Sequence, residues 1–358
     1  MWTAPNVTVL GLGISTSDDG GQTWSPPAIV SAPGAIGVIP LVRPDGTLVV
    51  VYATAEGGNQ IATVRSSDGG RSFSAPARVA ALRTHEIPGL RTPAFHSAEI
   101  SGDGRIVVAW QDCRYRARCA SNDIVYASST DGQSWTTPLR IPTGAQLAGL
   151  DHVTPGLAVD PTTAGTTTRL ALAFYALSPG GCSGSTCSLE PFFVSSPDNG
   201  RSWSAPERLG AAAPAEWFPL AGGRFAGDYI STSFVAGGVA VPVFAWAPAG
   251  FDGRFYEGVY ATAVPPLAAR PAVRLGPLRV RVGPRLEVQA AATPRSGGRV
   301  SCRATVGRRD LKLVTARLAG GTARCIWRLT AVGRLTGSLT LIAPEGRATH
   351  SFSARVRR

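Results

Sequence analysis

Ser17-Asp18-Asp19-Gly20-Gly21-Gln22-Thr23-Trp24 recurs three more times in this chain. The other copies are Ser66-Ser67-Asp68-Gly69-Gly70-Arg71-Ser72-Phe73, Ser129-Thr130-Asp131-Gly132-Gln133-Ser134-Trp135 and Ser196-Pro197-Asp198-Asn199-Gly200-Arg201-Ser202-Trp203. Their aspartates lie 49, 63 and 67 residues apart. Each copy reads as a tight hairpin. The Asp carboxylate can accept the N–H groups of its own turn, and Gly supplies positive φ without steric cost. The hydroxyl residues add local bonds. Trp24, Phe73, Trp135 and Trp203 are expected to anchor each turn in the neighbouring layer. Asp19, Asp68, Asp131 and Asp198 are therefore read as structural.

Alternating strands precede the turns, at Ile61 to Arg65, Ile124 to Ala127 and Phe192 to Ser195. Further upstream a strand, a Gly turn and a strand ending on an aromatic recur: Gly37–Val42, Asp45-Gly46, Leu48–Tyr52, then Ala98–Ile100, Asp103-Gly104, Ile106–Trp110. Leu170–Tyr175 and Val239–Trp246 end the same way. Four strands per repeat of roughly 50 to 65 residues is the pattern of a propeller blade. The expected class is all-β.

Composition agrees. The 358 residues are 44% hydrophobic and 16% charged, with 42 Gly and 28 Pro. High apolar content with low charge excludes a disordered chain, and the absence of a triplet period excludes collagen. No run reaches the roughly 18 apolar residues of a membrane span. The net charge of +12 is unevenly placed. Residues 1–268 hold 16 Arg against 20 acidic residues, a sum of −4; residues 269–358 hold 18 Arg and Lys312 against three acids, a sum of +16. The linker-like Val264-Pro265-Pro266-Leu267-Ala268-Ala269-Arg270-Pro271 marks the border. About seven strands within residues 272–358 suggest a small, immunoglobulin-like β-sandwich.

The repeated turn resembles the Asp-box, or bacterial neuraminidase repeat, of sialidase-like β-propellers, over about residues 11 to 263. Val107-Val108-Ala109-Trp110-Gln111-Asp112-Cys113-Arg114 and Gly227-Asp228-Tyr229 are similar to bacterial members of that superfamily. The resemblance implies a propeller of about five to six four-stranded blades, with the boxes on outer turns away from a central site. The first repeat shows only its last two strands, and the last, Gly227 to Val264, shows three strands and no box. Two readings stay open: a chain truncated at its N-terminus, or a five-bladed ring closed by its two termini.

The resemblance also implies exo-α-sialidase chemistry, in which a Tyr is the nucleophile, a Glu raises its basicity, three Arg hold a carboxylate and an Asp is acid and base. The family's early Arg-Ile-Pro motif is absent; Arg91-Thr92-Pro93 comes nearest. Tyr229, Asp228 and Glu99 are the catalytic candidates, with Tyr229 expected to open an innermost strand. Arg114, Arg224, Asp112 and His96 are candidates for substrate binding, and Glu257 is a weaker site candidate. The structural alternatives are a turn cap at Asp228, interblade packing at Tyr229, a local Asp112–Arg114 bridge and a satisfied His96–Glu99 pair. The competing function is a non-catalytic extracellular propeller that binds glycan or protein, or an inactive truncated product.

No metal or cofactor is expected. The four His lack metal-ligand spacing, and neither a phosphate loop nor a nucleophile elbow occurs. Six Cys allow 15 pairings; nearness favours Cys113–Cys119, Cys182–Cys187 and Cys302–Cys325. Disulfides imply an oxidising, extracytoplasmic location, although no signal peptide is visible behind Met1. The expected partner is a glycan or glycoprotein surface met by a monomer. Scattered Arg without a stacking stripe argues against specific nucleic-acid binding.

Overall fold

The computed structural model describes residues 11–30, 34–54, 59–250, 253–265, 274–293, 298–318, 320–343 and 346–356. The chain divides into two compact units, Met1–Ala268 and Ala269–Arg358. Both are built from antiparallel sheets, and the only helices among the described residues are short 3-10 turns. None is long and apolar enough to cross a membrane.

Among its described residues the first unit contains five sheets in chain order. β1 (Leu12–Ile14) pairs with β2 (Ala28–Val30). β3 (Ala35–Val42), β4 (Leu48–Thr54), β5 (Gln60–Ser66) and β6 (Ala77–Ala81) form the second sheet. β7 (Ser97–Ile100), β8 (Ile106–Asp112), β9 (Asp123–Ser129) and β10 (Leu139–Arg140) form the third. β11 (Asp151–Val159), β12 (Leu170–Ser178) and β13 (Ser188–Ser196) form the fourth, edged by β14 (Glu207–Arg208) and β15 (Ala213–Pro214). β16 (Ser231–Val235), β17 (Val239–Trp246) and β18 (Gly258–Ala261) form the fifth. The first strands of successive sheets, β3, β7, β11 and β16, lie beside one another. This arrangement is compatible with a β-propeller.

The residues explain the layering. β4, β8 and β12 are near-continuous apolar runs, buried almost throughout, as strands covered on both faces must be. Trp110, Tyr52, Tyr175 and Phe174 are fully buried among them, each contributing about 2 kcal/mol of apolar burial.

The first repeated turn joins β1 to β2, and the other three join the third and fourth strands of their sheets. In the first, Asp19 Oδ1 accepts the Thr23 N–H at 2.9 Å, Thr23 Oγ1 donates to Oδ2 at 2.6 Å, and Ser17 Oγ donates to Oδ1 at 2.8 Å while accepting Gly21 N–H at 2.8 Å. The Asp68, Asp131 and Asp198 turns repeat this net. Hydrogen bonds from Thr23 and from Ser72 hold the Asp19 and Asp68 carboxyls far below the usual range; at Asp131 burial opposes the shift, but bonds from Ser134 and Gln133 prevail.

The later turns also clasp the preceding sheet. Thr63 Oγ1 donates to the Gly132 carbonyl at 2.7 Å, and Tyr126 OH to the Gly200 carbonyl at 3.2 Å. Trp135, Trp203 and Phe73 pack at the edges of apolar clusters. Trp24 departs from the expectation: it is 64% exposed and bonds only its own turn, at the Gly21 carbonyl.

Antiparallel order sends the connections to two ends. Turns between first and second strands meet at one end, where Arg43 Nε donates to the Gly104 carbonyl and Gly165 N–H to Asp103. The longer loops meet at the other. There Cys113 N–H donates to the Arg83 carbonyl and Gly184 N–H to the Pro88 carbonyl. Disulfides Cys113–Cys119 and Cys182–Cys187 close two of these loops.

The second unit is a pair of sheets. One contains β19 (Arg274–Leu275), β20 (Arg279–Val282), β21 (Arg285–Thr293) and β25 (Thr322–Arg328). The other contains β22 (Arg299–Val306), β23 (Arg309–Asp310), β24 (Val314–Arg317), β26 (Gly333–Ala343) and β27 (Gly346–Val356). Burial alternates along β22 and β25, as in strands with one face on a core and one in water. Cys302 and Cys325 join the two sheets by a disulfide, and Trp327, in the core, donates to the Lys312 carbonyl at 2.7 Å.

Candidate functional site

The candidate residues fall into separate groups at the long-loop end and along the inner strands. Asp112 and Arg114 form a closed pair. Asp112 is fully buried and accepts Arg114 N–H and Nε, both at 2.8 Å, and Trp110 Nε1 at 2.9 Å. Arg114 Nη2 also donates to the Ala81 carbonyl at 2.6 Å. These bonds tie the β8 end to the disulfide loop and leave neither charge facing a ligand.

His96 precedes β7 and is 1% exposed. Its ring and that of Phe95 both lie beside Gly37. The Val51 backbone is near enough to favour the proton, yet neither ring nitrogen makes a hydrogen bond of ordinary geometry. Burial dominates and lowers the pKa to about 4. Glu99 lies on β7, where burial raises its carboxyl to about 7. Neighbouring Ser97 Oγ accepts Leu157 N–H from β11 at 3.1 Å, so this side of β7 faces the next sheet. His96 and Glu99 are not a hydrogen-bonded pair.

Tyr229, Asp228 and Arg224 do come together. They lie in the loop leading to β16, and Tyr229 sits two residues ahead of that strand rather than opening it. Arg91, from the loop between β6 and β7, reaches across. Its Nη2 donates to Asp228 Oδ2 at 2.8 Å and its Nε to Oδ1 at 3.2 Å, a bidentate pair. Backbone bonds lock the two loops: Arg91 N–H to the Arg224 carbonyl and Arg224 N–H to the Gly89 carbonyl, both at 2.9 Å. The Arg91 guanidinium also lies 4.5 Å from the Phe225 ring centroid. Arg224 Nη1 donates to the Phe218 carbonyl at 2.8 Å.

Tyr229 is 58% exposed and stacks on Phe95, with ring centroids 5.0 Å apart and planes 12° from parallel. It borders a cleft of about 500 Å³ lined by Phe225, Ile230, Phe244, Glu257 and Val259 among others. Burial, and then the Asp228 charge, raise the Tyr229 pKa, so the ring is a neutral phenol at neutral pH. Burial likewise raises the Glu257 carboxyl. The arrangement offers apolar walls, an exposed ring and a neutralised Arg–Asp pair, which suits a polar ligand with an apolar face.

Arg91 lies in the Arg91-Thr92-Pro93 run, but nothing in the sequence tied it to Asp228, and Phe95 carried no motif. A further cluster gave no motif: Asp151 Oδ1 accepts Asn122 N–H at 2.7 Å and lies 3.0 Å from His85 Nδ1, while His85 N–H donates to Asn122 Oδ1 at 2.8 Å. It binds the disulfide loop to β11. Among the described residues no group of three or more His, Cys, Asp or Glu could hold a metal.

No protein-family model matches the chain, and no curated protein sequence does. Solved structures are similar at low identity. A protein of unknown function from Dyadobacter fermentans is 15% identical, with 99% of this chain and 85% of that one covered and a TM-score of 0.41. An α-L-arabinofuranosidase from Fusarium graminearum is 14% identical, with 90% and 93% covered and a TM-score of 0.36. The intramolecular trans-sialidase of Ruminococcus gnavus is 15% identical, with 65% of this chain and 45% of that one covered and a TM-score of 0.37.

Proposed function

We propose that residues 1–268 are a sialidase-like β-propeller that binds extracellular glycans in the cleft beside Tyr229, and that residues 269–358 are an immunoglobulin-like sandwich. The observation that carries this is the exposed Tyr229 ring, backed by Phe95, at the mouth of an aromatic-walled cleft containing Glu257. An aromatic face takes the C–H face of a sugar, while buried carboxyl and backbone groups take its hydroxyls. Three disulfides fit an oxidising, extracellular setting.

Binding of the full chain to a glycan array, followed by calorimetry on the tightest oligosaccharide, tests the reading. Tyr229→Ala should weaken affinity at least about tenfold, or ~1.4 kcal/mol. Its exposure predicts an almost unchanged melting temperature. Unchanged affinity in the variant removes the cleft from function. Exo-α-sialidase-type hydrolysis is the second reading, favoured by the adjacency of Arg91, Asp228 and Tyr229. It requires turnover of a fluorogenic sialoside that Tyr229→Phe abolishes. The raised phenol pKa is the wrong direction for a nucleophile, which is why binding is preferred.

A further inference from the structure

The charge asymmetry has a structural counterpart. A chain-wide preference for arginine would raise both units, but the first sums to −4 and the second to +16. Three times in the second unit an exposed arginine stands directly opposite another across a strand pair: Arg285 with Arg328, Arg299 with Arg317, and Arg334 with Arg355. Like charges so placed are destabilising. None of the six has a carboxylate partner among the described residues; the ion pair seen in this unit joins Arg324 and Glu287.

Two of the three pairs share the outer face of β22, β24, β26 and β27. Between them runs a field of hydroxyls. Thr315, Ser301, Thr340 and Thr349 form one row; Arg303, Ser338 and Ser351 the next; Thr305, Thr336 and Ser353 the third. Thr340 is buried and its hydroxyl shares a 3.0 Å bond with that of Thr349, so in the first row Thr315, Ser301 and Thr349 face the track. From the Ile342 row, which carries Arg299 and Arg317, to the Arg334–Arg355 row is eight residues along β26, or about 27 Å. The one acid placed among these rows, Asp310, accepts the Thr305 hydroxyl at 2.7 Å. No aromatic residue occupies an outward position in these rows.

We infer that this face is a binding track for a linear anionic polysaccharide bearing sulfate esters or carboxylates. Paired guanidiniums at both ends take the anionic groups in bidentate fashion. The hydroxyl rows, donors and acceptors at once, take sugar hydroxyls between them. A single-stranded nucleic acid would call for stacking rings, which the face lacks; duplex DNA, bound through its phosphates alone, is the competitor the test must separate. The partner also resolves the strain, because an anion laid between two opposed arginines converts a repulsive pair into a clamp. This track is independent of the Tyr229 cleft.

The test uses the full chain on immobilised heparin (sulfate and carboxylate), polygalacturonate (carboxylate alone) and double-stranded DNA at physiological salt. The double variant Arg334→Gln/Arg355→Gln should weaken polysaccharide binding at least about tenfold and leave the melting temperature equal or higher, since repulsion is relieved. Arg303→Gln should weaken it less, in the same direction. The charge-matched Arg285→Gln/Arg328→Gln, on the opposite sheet, should change it less than about threefold. Binding to both polysaccharides shows that carboxylates suffice; binding to heparin alone assigns the track to sulfate. The inference is overturned if neither polysaccharide binds, if the two double variants weaken binding equally, or if DNA binds as tightly. Tyr229→Ala should leave all of these affinities unchanged, which separates this track from the cleft.

Discussion

Replacing Gly156 by alanine should cost about 3 kcal/mol, and replacing it by valine more, although neither change touches a charged or catalytic candidate. A Cβ at this position would meet the Ile230 carbonyl oxygen at 2.8 Å, its carbon at 2.9 Å and Ser231 N at 2.9 Å. All three are backbone atoms, so no rotamer can yield. The approach is prepared by a bulge in β11 between Val153 and Gly156, where Thr154 has φ of 52° and its N–H turns to Gln111 Oε1 at 3.0 Å. Thr232 Oγ1 then donates to the Gly156 carbonyl at 2.8 Å, sealing β11 to β16. A side chain here must push β11 and β16 apart, which is overpacking at its most costly. Thermal denaturation should show a fall of about 6–12 °C for Gly156→Ala. Gly46→Ala provides the contrast: its φ is 81° with nothing within 4 Å of a Cβ, so it should cost only about 1 kcal/mol. Ile230 and Ser231 line the cleft, so Gly156→Ala should also weaken glycan binding. Equal melting shifts for the two variants would show that the close approach is not what the glycine serves.

Such contacts mark the limit of what the chain reveals by itself. The repeated turns were legible because their chemistry is local: Asp19, Ser17 and Thr23 bond one another within a few residues. Cys113–Cys119 and Cys182–Cys187 were legible for the same reason, and Cys302–Cys325 as the pair that remained. That β8 is buried on both faces and β22 on only one emerged from the structure. Tyr229, Asp228 and Arg224 could be picked out because they are neighbours in the chain. Their partners could not, because Arg91 lies 137 residues from Asp228 and no periodicity relates them. Asp112 and Arg114 stood as both site and local bridge; the bridge forms because Trp110, Arg114 and Asp112 crowd one strand end out of water. His96 and Glu99 were site candidates whose structural alternative was a satisfied polar pair. The β-strand alternation that puts Ala98 in the core instead leaves the two polar groups in separate surroundings.

Acidification from pH 7 to pH 4 should cost the folded protein roughly 4 kcal/mol, and the loss should trace to two histidines. Burial is the largest influence on both His96 and His152, and each is lowered from 6.5 to about 4. For His152 the nearby Asp123 charge opposes burial without overcoming it. Both rings are therefore neutral in the fold, while the unfolded chain takes up a proton as the pH drops below 6.5. A group with a depressed native pKa of this kind stabilises the fold above its unfolded pKa and loses that contribution as pH falls. By pH 4 the loss is about 3 kcal/mol for each ring. Glu99 works the other way. Its carboxyl is raised to about 7, so the fold prefers it protonated and regains stability as pH falls from 7 toward 4.5. Partial exposure reduces that return to about 1–2 kcal/mol. The carboxylates of Asp19, Asp68 and Asp131 are held so far below the usual range that they stay ionised throughout this window; their contribution fails only at lower pH. Denaturant titrations of the full chain at pH 7, 5.5 and 4 measure the slope. His96→Leu removes one of the two protons taken up on unfolding without opening a cavity at Gly37 and should cut the loss to about 1 kcal/mol. His152→Phe, beside Phe174, should do the same. If wild-type stability changes by less than about 1 kcal/mol across this range, the neutral buried histidines are not the source of the acid sensitivity.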